Sequence, residues 1–149
     1  IMAFDLSGKK VLEFGKKGNG KGEFSSPNAV TVTKDKIYVA DTGNDRVEIF
    51  DRTGKLLVEN VGKEPNMQYS PFVNPRGVGV DGRGTLYVVS NLTNKIYAFD
   101  EAGKKTFPPV GEFGTADNQF QLPNGLFVDN QGRIYITDTI GQRVMVYQN

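Results

Sequence analysis

The 149-residue chain is 38% apolar, with ten Phe and six Tyr, enough to form one domain with a buried core. Lys plus Arg (18) nearly balances Asp plus Glu (17), so a net charge of +1 gives no pull toward nucleic acid. The absence of Cys and His excludes disulfides, thiolate and imidazole metal sites, c-type haem attachment, and Cys- or His-dependent nucleophilic catalysis. Eighteen Gly and seven Pro predict many turns and short strands. No apolar run is long enough to cross a membrane as a helix, and no signal segment opens the chain, so membrane insertion is not expected. The start at Ile1 suggests a processed or partial chain.

In chain order, residues 1–5 and 10–14 are predicted as two short strands around a Ser7-Gly8 turn. The pattern Phe-x-x-Pro follows at Phe24 and Pro27, and recurs at Phe72 and Pro75 and at Phe120 and Pro123. Each proline opens a strand-like stretch, 29–32, 77–80 or 125–128, in alternating apolar register. A turn leads to a second strand ending in Val39-Ala40-Asp41, Val88-Val89-Ser90 or Ile136-Thr137-Asp138. A polar turn then leads to a third strand, starting at Arg46, Lys95 or Arg143 and running to Phe50, Phe99 or Tyr147. Ala3-Phe4-Asp5 supplies a further copy of the end of that third strand, and no segment reads as a helix. The four strands of each repeat are lettered a to d.

Four antiparallel strands at a period of 48 or 49 residues predict an all-β fold of propeller blades, about three of them. We expect one segment over 1–149, with a partial blade at 1–14, blades at 24–61 and 72–113, and a partial blade at 120–149. Phe24, Phe72 and Phe120 are expected to wedge between blades. Thirteen predicted strands leave two open sheet edges, which favours association. A fragment of a longer propeller is preferred over a ring of two copies, because two copies would carry two redundant strands.

The strings "GKGEFSSPNAVTV" and "KIYVADTGNDRVEIFDRTGKLL" resemble the NHL repeat, and the resemblance recurs three times over nearly the whole chain. It implies a propeller half the size of a six-bladed ring. It also implies that Asp41 with Arg46, and Asp138 with Arg143, are structural ion pairs. Ser90 and Lys95 of the middle copy depart from that pattern. A calcium loop in Asp41–Asp45 is disfavoured, since no distal Glu stands at the required spacing. NHL propellers include RNA binders, protein-interaction platforms, sensor domains and lyases, so the resemblance implies little about activity.

The d-to-a and b-to-c loops should share one face of the propeller, with the d-to-a loops the most variable. We expect a non-enzymatic protein-interaction platform on that face, contacting its partner through Met67, Tyr69, Arg76, Asn44, Asn91, Leu92 and Ile140. That partner is another copy or the rest of a propeller. The alternative is RNA binding through Lys16, Lys17, Lys21 and Lys63, with Arg46, Arg76, Lys95 and Arg143 nearby. A third reading is part of a lyase- or lactonase-like propeller with its catalytic residues elsewhere; Asn28, Asn74 and Asn124 beside the prolines have a sufficient role in turns. No cofactor, metal or haem is expected. The expected setting is extracytoplasmic, periplasmic or secreted, with the cytoplasm as the alternative.

Overall fold

The computed structural model describes residues 1–148, so the expected boundary at 149 lies outside the described residues. The first hairpin pairs β1 (Met2–Phe4) with β2 (Lys10–Glu13). A short parallel pair follows, β3 (Lys16–Lys17) with β4 (Glu23–Phe24). The first full blade orders β5 (Ala29–Val32), β6 (Lys36–Asp41), β7 (Arg46–Asp51) and β8 (Leu56–Val58). The second orders β9 (Pro75–Val80), β10 (Leu86–Ser90), β11 (Lys95–Phe99) and β12 (Lys105–Val110). The last sheet has three strands, β13 (Pro123–Val128), β14 (Ile134–Asp138) and β15 (Arg143–Tyr147).

All blade pairings are antiparallel, as the repeat predicted. The parallel β3–β4 pair was not foreseen; it forms inside the first d-to-a loop. The loop at 42–44 closes as a single 3-10 turn, with Asp45 left-handed behind it.

A carboxylate closes five of the hairpin turns. In each of Asp5, Asp51, Asp81, Asp100 and Asp129, Oδ1 accepts the amides two and four residues on. An Asp satisfies the exposed amides of a tight turn without asking anything of the ladder.

Alternation sends one side of each strand forward and the other back, so the core forms between blades. Ile37, Val39 and Phe50 face the first hairpin; Tyr38, Ala40, Val47 and Ile49 face β9–β11. Tyr87, Val89, Ile96 and Ala98 face β13–β15 in the same way. Each junction receives one of the three repeated phenylalanines, buried as a wedge would be: Phe24, Phe72 and Phe120. Phe72 meets Tyr97 edge-on at 5.2 Å between ring centroids. Removing such a ring would cost about 3–5 kcal/mol. The inner strands approach closely: a Cβ on Gly77 would lie 2.7 Å from the Leu126 Cβ.

Candidate functional site

The predicted ion pairs form, and they do more than neutralise charge. Arg46 is buried and donates from Nε to Asp41 Oδ2 at 3.0 Å. Its Nη2 also donates to the carbonyls of Gly20 and Glu23, at 2.7 and 2.6 Å, in the loop entering the blade. Glu23 turns back to accept the Gly20 amide at 2.9 Å. The last blade repeats this arrangement. Arg143 reaches Asp138, Thr115, Ala116 and Gln119, and Gln119 accepts the Ala116 amide. A planar guanidinium suits this task because it offers several donors in fixed directions. Thus an arginine clamps the d-to-a loop in the first and third copies.

The middle copy has no such clamp. Ser90 replaces the Asp and spends its hydroxyl on Val73, accepting the Val73 amide and donating to its carbonyl. Among the described residues Lys95 makes no side-chain hydrogen bond, and Pro71 stands where Glu23 and Gln119 turn back. The loop 62–72 is therefore held without an arginine, by the Gly62 amide on Gly103 O at 2.8 Å, by Ser70 Oγ on Asn60 Oδ1 at 3.3 Å and by the buried Phe72 at its end.

That loop overhangs a cleft of about 540 Å³ between the first and second blades, lined by Asn44, Asp45, Asn60, Gln68, Tyr69 and Ser70. Tyr69 is 72% exposed. Val73 and Leu92, joined by a backbone hydrogen bond, are exposed beside each other. Tyr69 and Asn44, both expected at the contact surface, thus meet in one cleft.

The other expected contact residues fare differently. Met67 is half-buried in the same loop, and Ile140 is exposed at the corresponding turn of the last blade. Arg76 lies on β9, donating to Asn74 Oδ1 at 2.7 Å. Asn44 is tied to Gly18 O and Asp41 Oδ2 through its amide nitrogen. Asn91 is buried and donates to Pro123 O and Asn124 Oδ1, so its side chain holds two blades together and cannot reach a partner. Sequence alone did not distinguish it from a solvent-facing turn residue; its alignment with the buried Thr42, which donates to Pro75 O, is the signal that would have.

The basic set is partly neutralised. Lys16 lies 3.2 Å from Glu23, and Lys21 lies 3.3 Å from Glu59. Lys17 and Lys63 are exposed. Arg46 and Arg143 are occupied by their carboxylates and loop carbonyls, as expected for structural pairs. Among the described residues no group of three or more Asp or Glu gathers around a metal-sized space. Asn74 and Asn124, beside the repeated prolines, are engaged with Arg76, Asn91 and Thr139.

Comparison with known proteins agrees with the repeat geometry. The family model described as NHL repeat matches residues 24–50. Protein brain tumor of Drosophila melanogaster is 31% identical over 139 residues, covering 91% of this chain and 12% of that protein. The B-box type zinc finger protein ncl-1 of Caenorhabditis elegans is 29% identical over 136 residues, covering 91% and 15%. The chain is built of NHL repeats. Among solved structures, a catalytically inactive virginiamycin B lyase from Staphylococcus aureus with quinupristin matches at TM-score 0.64 and 14% identity, covering 99% of this chain and 48% of that one. A gluconolactonase from Xanthomonas campestris matches at TM-score 0.62 and 19% identity, covering 98% and 54%. At these identities the likeness shows the propeller fold alone. The NHL chain thus spans a small part of its curated relatives and about half of these solved propellers.

Proposed function

We propose that this NHL segment is a non-enzymatic protein-interaction platform that takes an extended protein segment on its loop face, across the cleft beneath loop 62–72. The observation that carries this reading is the missing clamp. The repeat fixes its d-to-a loop by arginine in two copies and leaves without that clamp the one that presents Tyr69 and Met67. An exposed Tyr over a polar cleft, with Leu92 and Val73 alongside, is the mixture of aromatic anchor and polar rim that protein interfaces use. RNA binding through Lys16, Lys17, Lys21 and Lys63 is the second reading, and the pairing of Lys16 and Lys21 with carboxylates weakens it.

Peptide display against the immobilised chain, run beside single-stranded RNA homopolymers, separates the two. The platform reading expects peptides whose binding is lost with Tyr69→Ala or Leu92→Asp and changes little with salt. Selection of no peptide, together with RNA binding that falls steeply with salt and with Lys17 and Lys63 substitution, would overturn it.

A further inference from the structure

We propose that the cleft beneath loop 62–72 selects an arginine of the bound segment, with Asp45 and Asn44 accepting its guanidinium N–H groups and the Tyr69 ring covering its plane. The inference rests on the platform reading and names what that cleft recognises.

The charge of the cleft is one-sided. Among the described residues lining it, Asp45 is the only charged one; the other polar side chains there are amides and hydroxyls. Asp45 is exposed, and among the described residues no cation pairs with it. A carboxylate in a cleft that holds no cation of its own complements a positive group and repels phosphate.

The fold does not require that charge. Asp45 and Asn94 hold the same position of their repeats, both in left-handed backbone, at φ 51° and 53°. Each gives one side-chain oxygen to an amide of the next blade: Asp45 Oδ1 accepts from Asn74 at 2.6 Å, and Asn94 Oδ1 from Leu122 at 3.2 Å. Asn94 shows that a neutral amide suffices for this fastening, and Asn tolerates left-handed backbone as well as Asp does. What Asp45 adds is a second, negatively charged oxygen, Oδ2, with no hydrogen-bond partner among the described residues.

Its neighbour adds another acceptor. Asn44 spends its amide nitrogen inside the blade, on Gly18 O at 2.9 Å and Asp41 Oδ2 at 2.6 Å. Both donors are thus used, and Asn44 Oδ1 is left as an acceptor with no donor among the described residues. Two consecutive residues at the cleft therefore offer oxygens and ask for N–H groups.

A guanidinium fits this demand better than an ammonium. Its planar fork of donors serves a carboxylate and a neutral oxygen together, and its flat face stacks on an aromatic ring. The molecule uses the same combination internally: Arg46 is held by one carboxylate, that of Asp41, and by the carbonyls of Gly20 and Glu23. The ring comes from the loop. Counted from its left-handed glycine to its phenylalanine, loop 62–72 is one residue longer than 15–24 and 111–120, and it carries Tyr69 72% exposed at the cleft. A tyrosine face attracts a cation through its ring quadrupole. Asn60 Oδ1 accepts the Ser70 hydroxyl at 3.3 Å, which leaves the Asn60 amide nitrogen to donate to a main-chain carbonyl of the segment. One ion pair shielded under Tyr69 keeps the salt dependence shallow, unlike that of RNA.

The test takes peptides selected from a random library on the immobilised chain and measures their affinity by fluorescence polarisation. The selected peptides should share an arginine at one position, and its replacement by citrulline, the uncharged isostere, should weaken binding at least about tenfold. Asp45→Asn should weaken the arginine peptide by a similar factor and leave the citrulline peptide unchanged. Asn keeps the fastening to Asn74, and circular dichroism with an unchanged Tm verifies the fold. Tyr69→Phe should bind as the wild type does, whereas Tyr69→Leu, apolar but without a ring, should lose about threefold. Peptides that need Tyr69 and Leu92 but share no arginine overturn the inference and leave the platform standing. So does an arginine preference that survives in Asp45→Asn. Selection of no peptide removes the platform reading and this inference with it. RNA binding that strengthens with Asp45→Asn would show the cleft facing phosphate, and overturns it equally.

Discussion

Replacing Glu48 with Gln tests a charge placed where the other blades keep the junction free of it. Glu48 sits on β7 at the position of Tyr97 in β11 and Met145 in β15. It is fully buried; Oε1 accepts the Gly22 amide at 3.1 Å, while Oε2 has no hydrogen-bond partner among the described residues and lies 3.5 Å from Arg46 Nη2. Burial pushes the carboxyl up from 4.5 to about 7, against the pull of the Gly22 amide and the Arg46 charge. The folded state therefore holds the proton more tightly than the unfolded chain. The resulting stability is fully present below pH 4.5 and is lost as pH rises through about 7. The gap corresponds to about 3 kcal/mol, or roughly 10 °C in Tm for a domain of this size. Gln keeps the shape and carries no charge. Urea unfolding followed by circular dichroism, at about pH 4.5 and about pH 8, should show the wild type losing most of that energy while Glu48→Gln stays level. Parallel pH curves for the two proteins would refute the reasoning.

Arg46→Lys should lower stability by about 3 kcal/mol, because an ammonium cannot serve Asp41 and the loop carbonyls together; the urea midpoint measures it, and a loss below about 1 kcal/mol contradicts the clamp. Leu122 adopts a left-handed backbone at φ 70°, where Asn74 stands in the preceding repeat. Leu122→Asn should therefore raise the melting temperature, by about 1 kcal/mol of relieved strain. Desolvation acts to raise Asp129, yet the Arg133 amide and guanidinium and the Gln131 amide hold its carboxyl down at about 2. Its contribution is present above the ordinary carboxylate range and is lost as pH falls through about 2, so Asp129→Asn should flatten the acid limb of the unfolding profile.

The blades were legible because they obey a period. Phe-x-x-Pro, the alternating strands and the Asp–Arg spacing recur, and each recurrence checks the others. The face was less legible because its character lies in departures from the period. Asn91 was expected to contact a partner from an exposed turn, yet burial against Pro123 makes it a fastener between blades. Glu48 is the polar residue of the alternating stretch 47–50, but on a propeller both sides of a strand are buried between blades. The β3–β4 pair had no sequence signal, since two residues make too short a ladder for a pattern.

The departure at Ser90 and Lys95 was visible in the sequence, and its consequence can be reversed. Ser90→Asp with Lys95→Arg, and Pro71→Glu to supply the side chain that turns back, would rebuild in loop 62–72 the arrangement around Arg46 and Arg143. Each regained charge-assisted bond is worth about 1.5–3 kcal/mol, less the entropy of ordering the loop. Hydrogen exchange of the amides in 62–72 should slow at least about tenfold, the effect of about 1.4 kcal/mol. Binding of the peptides selected on the wild type should fall by a similar factor, because the loop must move to accept them, while Tm holds or rises. Slower exchange with unchanged binding would show that the partner does not use the freedom of this loop. Unchanged exchange would show that the arginine does not clamp it. The reading of the middle blade as the working one requires both changes together.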